Sequence, residues 1–287
     1  KISKQQNGIF FIHTKNIRKL LAEISFKIYK NLPKNLVAVT GTNGKSSIAD
    51  FYFQILKLNN KKVATIGTLG VRSVNFKQKL FNTTIDPISL GKILTTLKLA
   101  KVENVIMEAS SHGLIQNRLD GLSFDTGIFT NLSQDHLDYH KTIQNYLHAK
   151  LYLFKNLIKK NGNVITDNKI PEFKNINKIC KIKKLKLFAI NKKKENIKIL
   201  SHSFKDESQI IRINHGNKIK EIKLNLIGKI QLKNILMAII AANRSNLEFS
   251  KILKVIPKIK SVKGRFEKIG KIKNKSKVIL DYAHTPE

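Results

Sequence analysis

One cysteine, Cys180, occurs in 287 residues, so no disulfide can form within the chain. A lone thiol of this kind reads as a small buried apolar side chain and suits a reducing compartment. No apolar run approaches the roughly 20 residues that a membrane-spanning helix needs. The longest candidate, Ile235 to Ala242, reads as a buried helix segment. The first residues show no signal-peptide pattern, and these absences together lead us to expect a cytoplasmic protein with no membrane partner. Acidic residues are scarce, 19 against 54 lysines and arginines, which leaves a formal net charge of +35. Arginine is scarce too, confined to positions 18, 72, 118, 212, 244 and 265. The basic excess is therefore lysine, over-used with isoleucine and asparagine along the whole chain. Base readout favours arginine forks and exposed aromatic side chains, and neither is clustered. We expect non-specific adhesion to polyanions but no specific nucleic-acid partner.

Within this background, Leu36 to Ser47 is organised as a triphosphate cradle. A β-branched run ends in Gly41-Thr42-Asn43-Gly44, followed by Lys45, Ser46 and Ser47 and then a helical pattern. The glycines let backbone N–H groups close around phosphate oxygens, Lys45 reaches the β- and γ-phosphates, and the Ser46 hydroxyl ligates Mg²⁺. The helix from Ser46 to about Asn59 points its positive end at the same anion. The spacing is GxxGKS, with Val39 or Thr40 completing the loop through backbone alone.

Strands and helices alternate from Leu36 onward, which implies an α/β fold with a mostly parallel sheet flanked by helices. Expected strands are Leu36–Thr40, Lys62–Gly67, Asn104–Glu108, Thr126–Thr130 and Asn163–Thr166. Helices are expected at Ser47–Asn59, Ile88–Ala100, Thr142–Ile158, Gln231–Asn243 and Ser250–Val255, with another at Asn16–Tyr29. Alternating lysine and aliphatic residues at Lys183–Ile190 and Ile219–Leu226 imply a small, half-exposed antiparallel edge portion. Lys277–Asp281 reads as a strand with nothing after it to pair with. We expect residues 1–34 to be the remnant of a preceding domain and its linker, 35–262 a central nucleotide-binding domain, and 263–287 the start of a further domain. No internal repeat is found.

Several polar groups follow the candidate strands. Glu108 ends the apolar run Val105-Ile106-Met107 at the carboxyl edge of the sheet, where α/β ligands bind, and opposite Ser46 it would complete a Mg²⁺ site. Asp135-His136-Leu137-Asp138-Tyr139-His140 gathers four titratable groups, a density that calls for water, metal or ligand. Asn82-Thr83-Thr84 and Ser110-Ser111-His112 suit either a ligand oxygen or a helix cap.

Five blocks occur in order: Gly-Thr-Asn-Gly-Lys-Ser (41–46), Thr-Thr-Ile-Asp-Pro (83–87), Met-Glu-Ala-Ser-Ser-His (107–112), Asp-His-Leu-Asp-Tyr-His (135–140) and Asp-Tyr-Ala-His-Thr-Pro (281–286). The series resembles the Mur ligases of peptidoglycan synthesis, and among them the MurE branch, from about residue 10 to the last residue. The resemblance implies a cytoplasmic, monomeric enzyme of three domains: an N-terminal domain holding a uridine nucleotide, a central ATPase domain and a C-terminal domain for the incoming amino acid. It implies ATP-dependent addition of a diamino acid, meso-diaminopimelate or L-lysine, to UDP-N-acetylmuramoyl-L-alanyl-D-glutamate through an acyl phosphate.

Carried over position by position, Lys45, His136 and Lys150 would be catalytic, and Gly41 through Ser47 would bind ATP. Two Mg²⁺ ions are implied, one on Ser46 and Glu108, the other on His136 and on Lys150 as a carbamate. Lys150 is the lysine of the block Tyr146-Leu147-His148-Ala149-Lys150-Leu151-Tyr152-Leu153-Phe154. Asn82, Thr83, Thr84, Ser110, Gln116 and Arg118 match the positions that hold the muramoyl-dipeptide. Asn234 matches an adenine-side asparagine, Arg265 a phosphate-side arginine and Asp281 a ribose-binding carboxylate. The chain departs from the family pattern at Ile85, Gly113 and Lys263, and Ile230-Gln231 stands where a Phe-Asn pair is usual. The rival readings are another ligase of the superfamily, such as a folylpolyglutamate synthase, and a non-enzymatic polyanion-binding protein.

Overall fold

In a computed structural model of the chain, the described residues are 2–6, 8–190, 198–205, 208–215, 218–272 and 276–282. The chain opens with a hairpin of β1 (Ile2–Gln6) and β2 (Ile9–Ile12), then α1 (Ile17–Ile28), whose N-cap Asn16 accepts a hydrogen bond from Lys19 N. There follow β3 (Asn35–Thr40), α2 (Lys45–Leu58), β4 (Val63–Gly67), β5 (Gly70–Arg72), β6 (Lys77–Gln78), α3 (Pro87–Leu99), β7 (Asn104–Glu108), α4 (Ser111–Ile115) and β8 (Phe124–Phe129). Next come α5 (Leu137–His140), α6 (Ile143–Tyr152), a π-helical turn at Leu153–Leu157, β9 (Ile158–Asp167), α7 (Phe173–Lys183) and β10 (Lys186–Ile190). Strands β11 (Lys198–Lys205), β12 (Ser208–His215) and β13 (Lys218–Leu224) precede α8 (Lys229–Arg244) and α9 (Phe249–Val255). The described residues end with the hairpin of β14 (Glu267–Lys271) and β15 (Lys277–Leu280).

Eight strands form the central sheet in the order β10-β9-β8-β3-β7-β4-β5-β6. The pairs from β10 to β4 are parallel, and β5 and β6 add an antiparallel margin. Because side chains alternate across a strand, β3 feeds two cores. Val37 and Val39 join a cluster with α2, α8 and α9 on one face. Leu36 and Ala38 join a cluster with α1, α3 and α7 on the other. Burial on both faces is why the central strands read as unbroken apolar runs. All the parallel strands end at the same edge, so the loops after β3, β4, β7 and β8 converge there.

The expected alternation at Lys183–Ile190 is corrected. Helix α7 runs to Lys183, and Lys186–Ile190 pairs parallel to β9, with Lys186 opposite Asn163. The lysine–aliphatic alternation marks only the exposed entry to this edge strand, whose later residues are covered on both faces, Leu187 by one core cluster and Phe188 and Ile190 by the other, so periodicity did not reveal its parallel partner. Ile219–Leu226 does fall largely in an antiparallel strand, β13. The helix expected to run to Ile158 stops at Tyr152 and passes through the π-helical turn into a β9 longer than expected. The final strand, β15, is paired antiparallel with β14. Among the described residues no helix is long and apolar enough to cross a membrane.

Candidate active site

The loop between β3 and α2 is held so tightly that only glycine fits at its ends. Gly41 has φ +145°, and a Cβ there would stand 1.8 Å from Thr130 Oγ1. Gly44 caps α2 with φ +86°, and its Cβ would stand 2.6 Å from Asn234 Oδ1. The loop backbone is pinned from the end of β8: Thr130 Oγ1 donates to Asn43 O (2.6 Å), Asn43 N to Asn131 Oδ1 (2.9 Å) and Thr42 N to Asn131 O (3.0 Å). Lys45 folds back over the loop, donating to Gly41 O at 2.9 Å and Thr42 O at 2.6 Å. Burial lowers its pKa, opposed by the charges of Glu108 and Asp135.

Glu108 sits at the end of β7, opposite Val39 in the register. It is 3% exposed. Ser46 Oγ donates to its Oε2 at 3.1 Å, Thr68 Oγ1 to the same oxygen at 3.1 Å and Thr68 N to Oε1 at 2.9 Å. A carboxylate and a hydroxyl facing each other beside a phosphate loop are hard oxygen donors of the kind Mg²⁺ takes. Among the described residues no three His, Cys, Asp or Glu side chains gather as a metal cluster.

Lys150, on α6, is 1% exposed. It donates to Gly41 O at 2.7 Å, and its Nζ lies 4.1 Å from the centroid of the Tyr146 ring. Burial, reinforced by the nearby Lys45 charge, holds its pKa well below the usual lysine value. A depressed pKa favours the neutral amine, the form that reacts with CO₂ to give a carbamate, so the site fits that modification. His136 caps α5 in the left-handed region (φ 53°), its Nε2 3.3 Å from Asp135 Oδ2. Its ring meets that of His112 edge-on at 5.0 Å. His140 is buried against Ser111 Oγ (3.0 Å), and burial with the neighbouring His112 and Lys150 pushes its pKa down to about 4.

Lys45, Ser46, Glu108, His136 and Lys150 all border one cleft of about 230 Å³, together with Thr42–Gly44, Ser47, Thr83, Ser110 and Arg265. A larger cavity of about 460 Å³ takes in Asn82, Gln116 and Arg118. Arg118 donates through Nε and Nη2 to Gln116 Oε1 (3.1 and 2.7 Å) and through Nη1 to Thr84 O (2.5 Å). Thr84 lies beneath the two spaces: its hydroxyl donates to Glu108 O (2.8 Å) and accepts from Ser110 N (2.9 Å). Asn234 is buried behind Gly44. Asp281 Oδ1 accepts from Phe266 N at 3.3 Å. Residues 283–286 of the last motif lie outside the described residues. Sequence reasoning missed Thr68, Asn131 and Gln231. Thr68 follows a strand that ends at the same edge, and that position was the available signal.

The sequence profile of the Mur ligase middle domain matches residues 39–242, a span that holds the phosphate loop, Glu108, His136 and Lys150. The chain belongs to the Mur ligase family. It is 37% identical over 285 residues to the UDP-N-acetylmuramoyl-L-alanyl-D-glutamate--2,6-diaminopimelate ligase of Rickettsia bellii (strain RML369-C), covering 98% of this chain and 59% of the relative. The chain thus spans under two thirds of the length of that ligase. Among solved structures, that of a UDP-N-acetylmuramoyl-L-alanyl-D-glutamate--2,6-diaminopimelate ligase superposes with a TM-score of 0.82 at 24% identity, over 96% of this chain and 57% of the other. The apo form of L. casei FPGS superposes with a TM-score of 0.76 at 15% identity, over 96% and 75%. The Mur ligase fold is therefore common to both neighbours and does not by itself separate their chemistries.

Proposed function

We propose that this chain is the nucleotide-binding core of an ATP-dependent ligase that adds 2,6-diaminopimelate to UDP-N-acetylmuramoyl-L-alanyl-D-glutamate. One observation carries the reading: Lys45, the Ser46–Glu108 pair and Lys150 meet at the glycine loop, next to a second cavity bordered by Arg118 and Gln116. The substrates come from the name of the R. bellii relative. On this reading residues 35–262 are the central domain, with 1–34 and 263–287 belonging to the domains on either side.

The γ-phosphoryl group of ATP would lie over the Gly41–Gly44 loop, and Lys45 would exchange its two carbonyl acceptors for phosphate oxygens. Arg118 and Gln116, with Asn82, Thr83 and Ser110, would hold the muramoyl-dipeptide so that a glutamyl carboxylate oxygen stands in line with the γ-phosphorus. That oxygen bonds to phosphorus as the bond to ADP breaks, giving an acyl phosphate. The neutral amine of the diamino acid then attacks the acyl carbon, and the tetrahedral intermediate loses phosphate and a proton to leave the amide. Mg²⁺ on Ser46 and Glu108, and a second ion on His136 and carbamylated Lys150, would offset charge on the transferred phosphoryl oxygens. Asn234, Arg265 and Asp281 would face the nucleotide from α8 and the segment after α9.

The test is phosphate release by the intact protein, with UDP-N-acetylmuramoyl-dipeptide and diaminopimelate in one arm and folate with glutamate in another. Turnover confined to the first arm is the expected result. Turnover with folate would transfer the chain to the rival ligase. Tight, strongly salt-dependent nucleic-acid binding without stimulated ATP hydrolysis would favour the polyanion reading.

A further inference from the structure

Arg265 reaches the nucleotide cleft from a segment tied locally by Gly264 N to Glu267 Oε2 (2.7 Å), Arg265 N to Val262 O (2.9 Å), Tyr282 N to Gly264 O (2.9 Å) and Phe266 N to Asp281 Oδ1 (3.3 Å), none of which reaches the phosphate loop. The residues on either side of it bend sharply, with Gly264 at φ 67° and Phe266 at φ 48°. A single bridge pairs Val262 with Arg265. Two glutamine side chains on separate helices grip this segment by its backbone. Gln54, on α2, donates from Nε2 to Lys260 O (3.0 Å) and accepts from Lys260 N at Oε1 (2.9 Å), so its amide is matched to both backbone polar groups of one residue 206 positions away. The same Nε2 also donates to Asp50 Oδ2 at 2.6 Å, and Asp50 is ion-paired with Arg72 of β5. Gln231, on α8, is 3% exposed. Its Nε2 donates to Arg265 O at 3.1 Å, while its Oε1 accepts from Asn234 Nδ2 at 3.1 Å, the asparagine that abuts Gly44.

Both grips lead back to the phosphate loop. Ser46, Asp50 and Gln54 succeed one another at four-residue spacing on α2, so they share one face of the helix whose first turn forms the cradle. Gln231 and Asn234 are three apart on α8 and meet the other side of the loop. We infer that Gln54 and Gln231 are positioning residues that register Arg265 to the glycine loop. Because they hold backbone atoms, the placement does not depend on the side chain at Lys260. The Gln231 amide thereby joins Asn234 to the Arg265 carbonyl.

The inference rests on the proposed nucleotide site, and its test keeps the two apart. Affinity of the intact protein for Mg²⁺ and β,γ-methylene ATP is measured by calorimetry for Gln54→Met, Gln231→Met, Arg265→Ala, Gln54→Met/Arg265→Ala and Lys45→Ala. Methionine keeps helix propensity close to that of glutamine, and Gln54 is only half-buried, so Gln54→Met retains the fold even if Gln231→Met does not. Each glutamine variant is expected to weaken binding about three- to tenfold, the loss of one or two amide hydrogen bonds. The double variant is expected to bind no more weakly than Arg265→Ala alone, because a positioning effect vanishes once its target is gone. Unchanged affinity in Gln54→Met, or losses that multiply in the double variant, would overturn the inference. If Lys45→Ala also bound normally, the nucleotide site itself would fall.

Discussion

A buried lysine that is costly to the fold and necessary to the chemistry leaves a distinct signature, and on the proposed function Lys150 would be such a residue. Its aliphatic stem is packed at 1% exposure. Gly41 O, its hydrogen-bond acceptor, also accepts from Lys45 at 2.9 Å. Lys150→Met keeps the stem and removes the amine, and it leaves that carbonyl satisfied. The folded pKa lies well below 10.5, driven down by burial and then by Lys45. Between that depressed value and 10.5 the unfolded chain binds more protons than the folded one, so the lysine's contribution to stability is lost as pH falls through the window. Each pH unit of depression corresponds to about 1.4 kcal/mol. Replacing buried ionisable groups by apolar side chains gains about 1–4 kcal/mol where their desolvation is poorly compensated, and Lys150 must either lose its proton or bury its charge on folding. Urea unfolding in bicarbonate-free buffer at pH 7.5 is therefore expected to show Lys150→Met as more stable than the parent by an amount in that range. The gap is expected to narrow as pH rises toward 10.5, while ligase turnover is abolished at every pH. A methionine variant less stable than the parent by more than about 1 kcal/mol, or a gap independent of pH, would show that burial of Lys150 does not cost stability in this way.

Gly41→Ala places a methyl group 1.8 Å from Thr130 Oγ1 at a φ that disfavours any side chain; we expect destabilisation of about 1–3 kcal/mol from overpacking, visible in a urea melt, and loss of nucleotide binding. Glu108→Gln keeps the shape and one acceptor but removes the charge opposite Ser46; the Mg²⁺ concentration for half-maximal ATP hydrolysis is expected to rise at least tenfold, and an unchanged value would remove Glu108 from the metal site. His140, folded with a pKa of about 4 against 6.5 unfolded, contributes stability that is present above pH 6.5 and lost as pH falls through 4. Its loss amounts to about 3 kcal/mol, and His140→Gln is expected to flatten that part of the pH–stability curve in metal-free buffer. Equal slopes in parent and variant would contradict the burial argument.

The phosphate loop, β3 and β7 were legible because their signals are local: glycine spacing, a lysine and hydroxyl in order, and apolar runs buried on both faces. Glu108 was placed opposite Ser46 from strand-end logic alone, and the two oxygens lie 3.1 Å apart. Strand β10 was given the wrong direction because lysine–aliphatic alternation carries no information on the partner strand, and its later residues are covered on both faces. Gln231 was not legible because its role is a contact made across 34 positions, and Thr68, although it follows a strand ending at the same edge, meets Glu108 across 40 positions. Thr84 illustrates a different limit. A hydroxyl in a polar turn suits either a ligand oxygen or a backbone group, and in the fold Thr84 donates to Glu108 O and accepts from Ser110 N.

On the proposed function, a triphosphate settles on the Gly41–Gly44 loop with Lys45 on its outer phosphates. The most direct test is calorimetric titration of the intact protein with β,γ-methylene ATP and Mg²⁺, alongside Lys45→Ala. Binding by the parent and a loss of at least a hundredfold in Lys45→Ala is the expected outcome. Equal affinity in the two proteins, or no binding by either, would contradict the account.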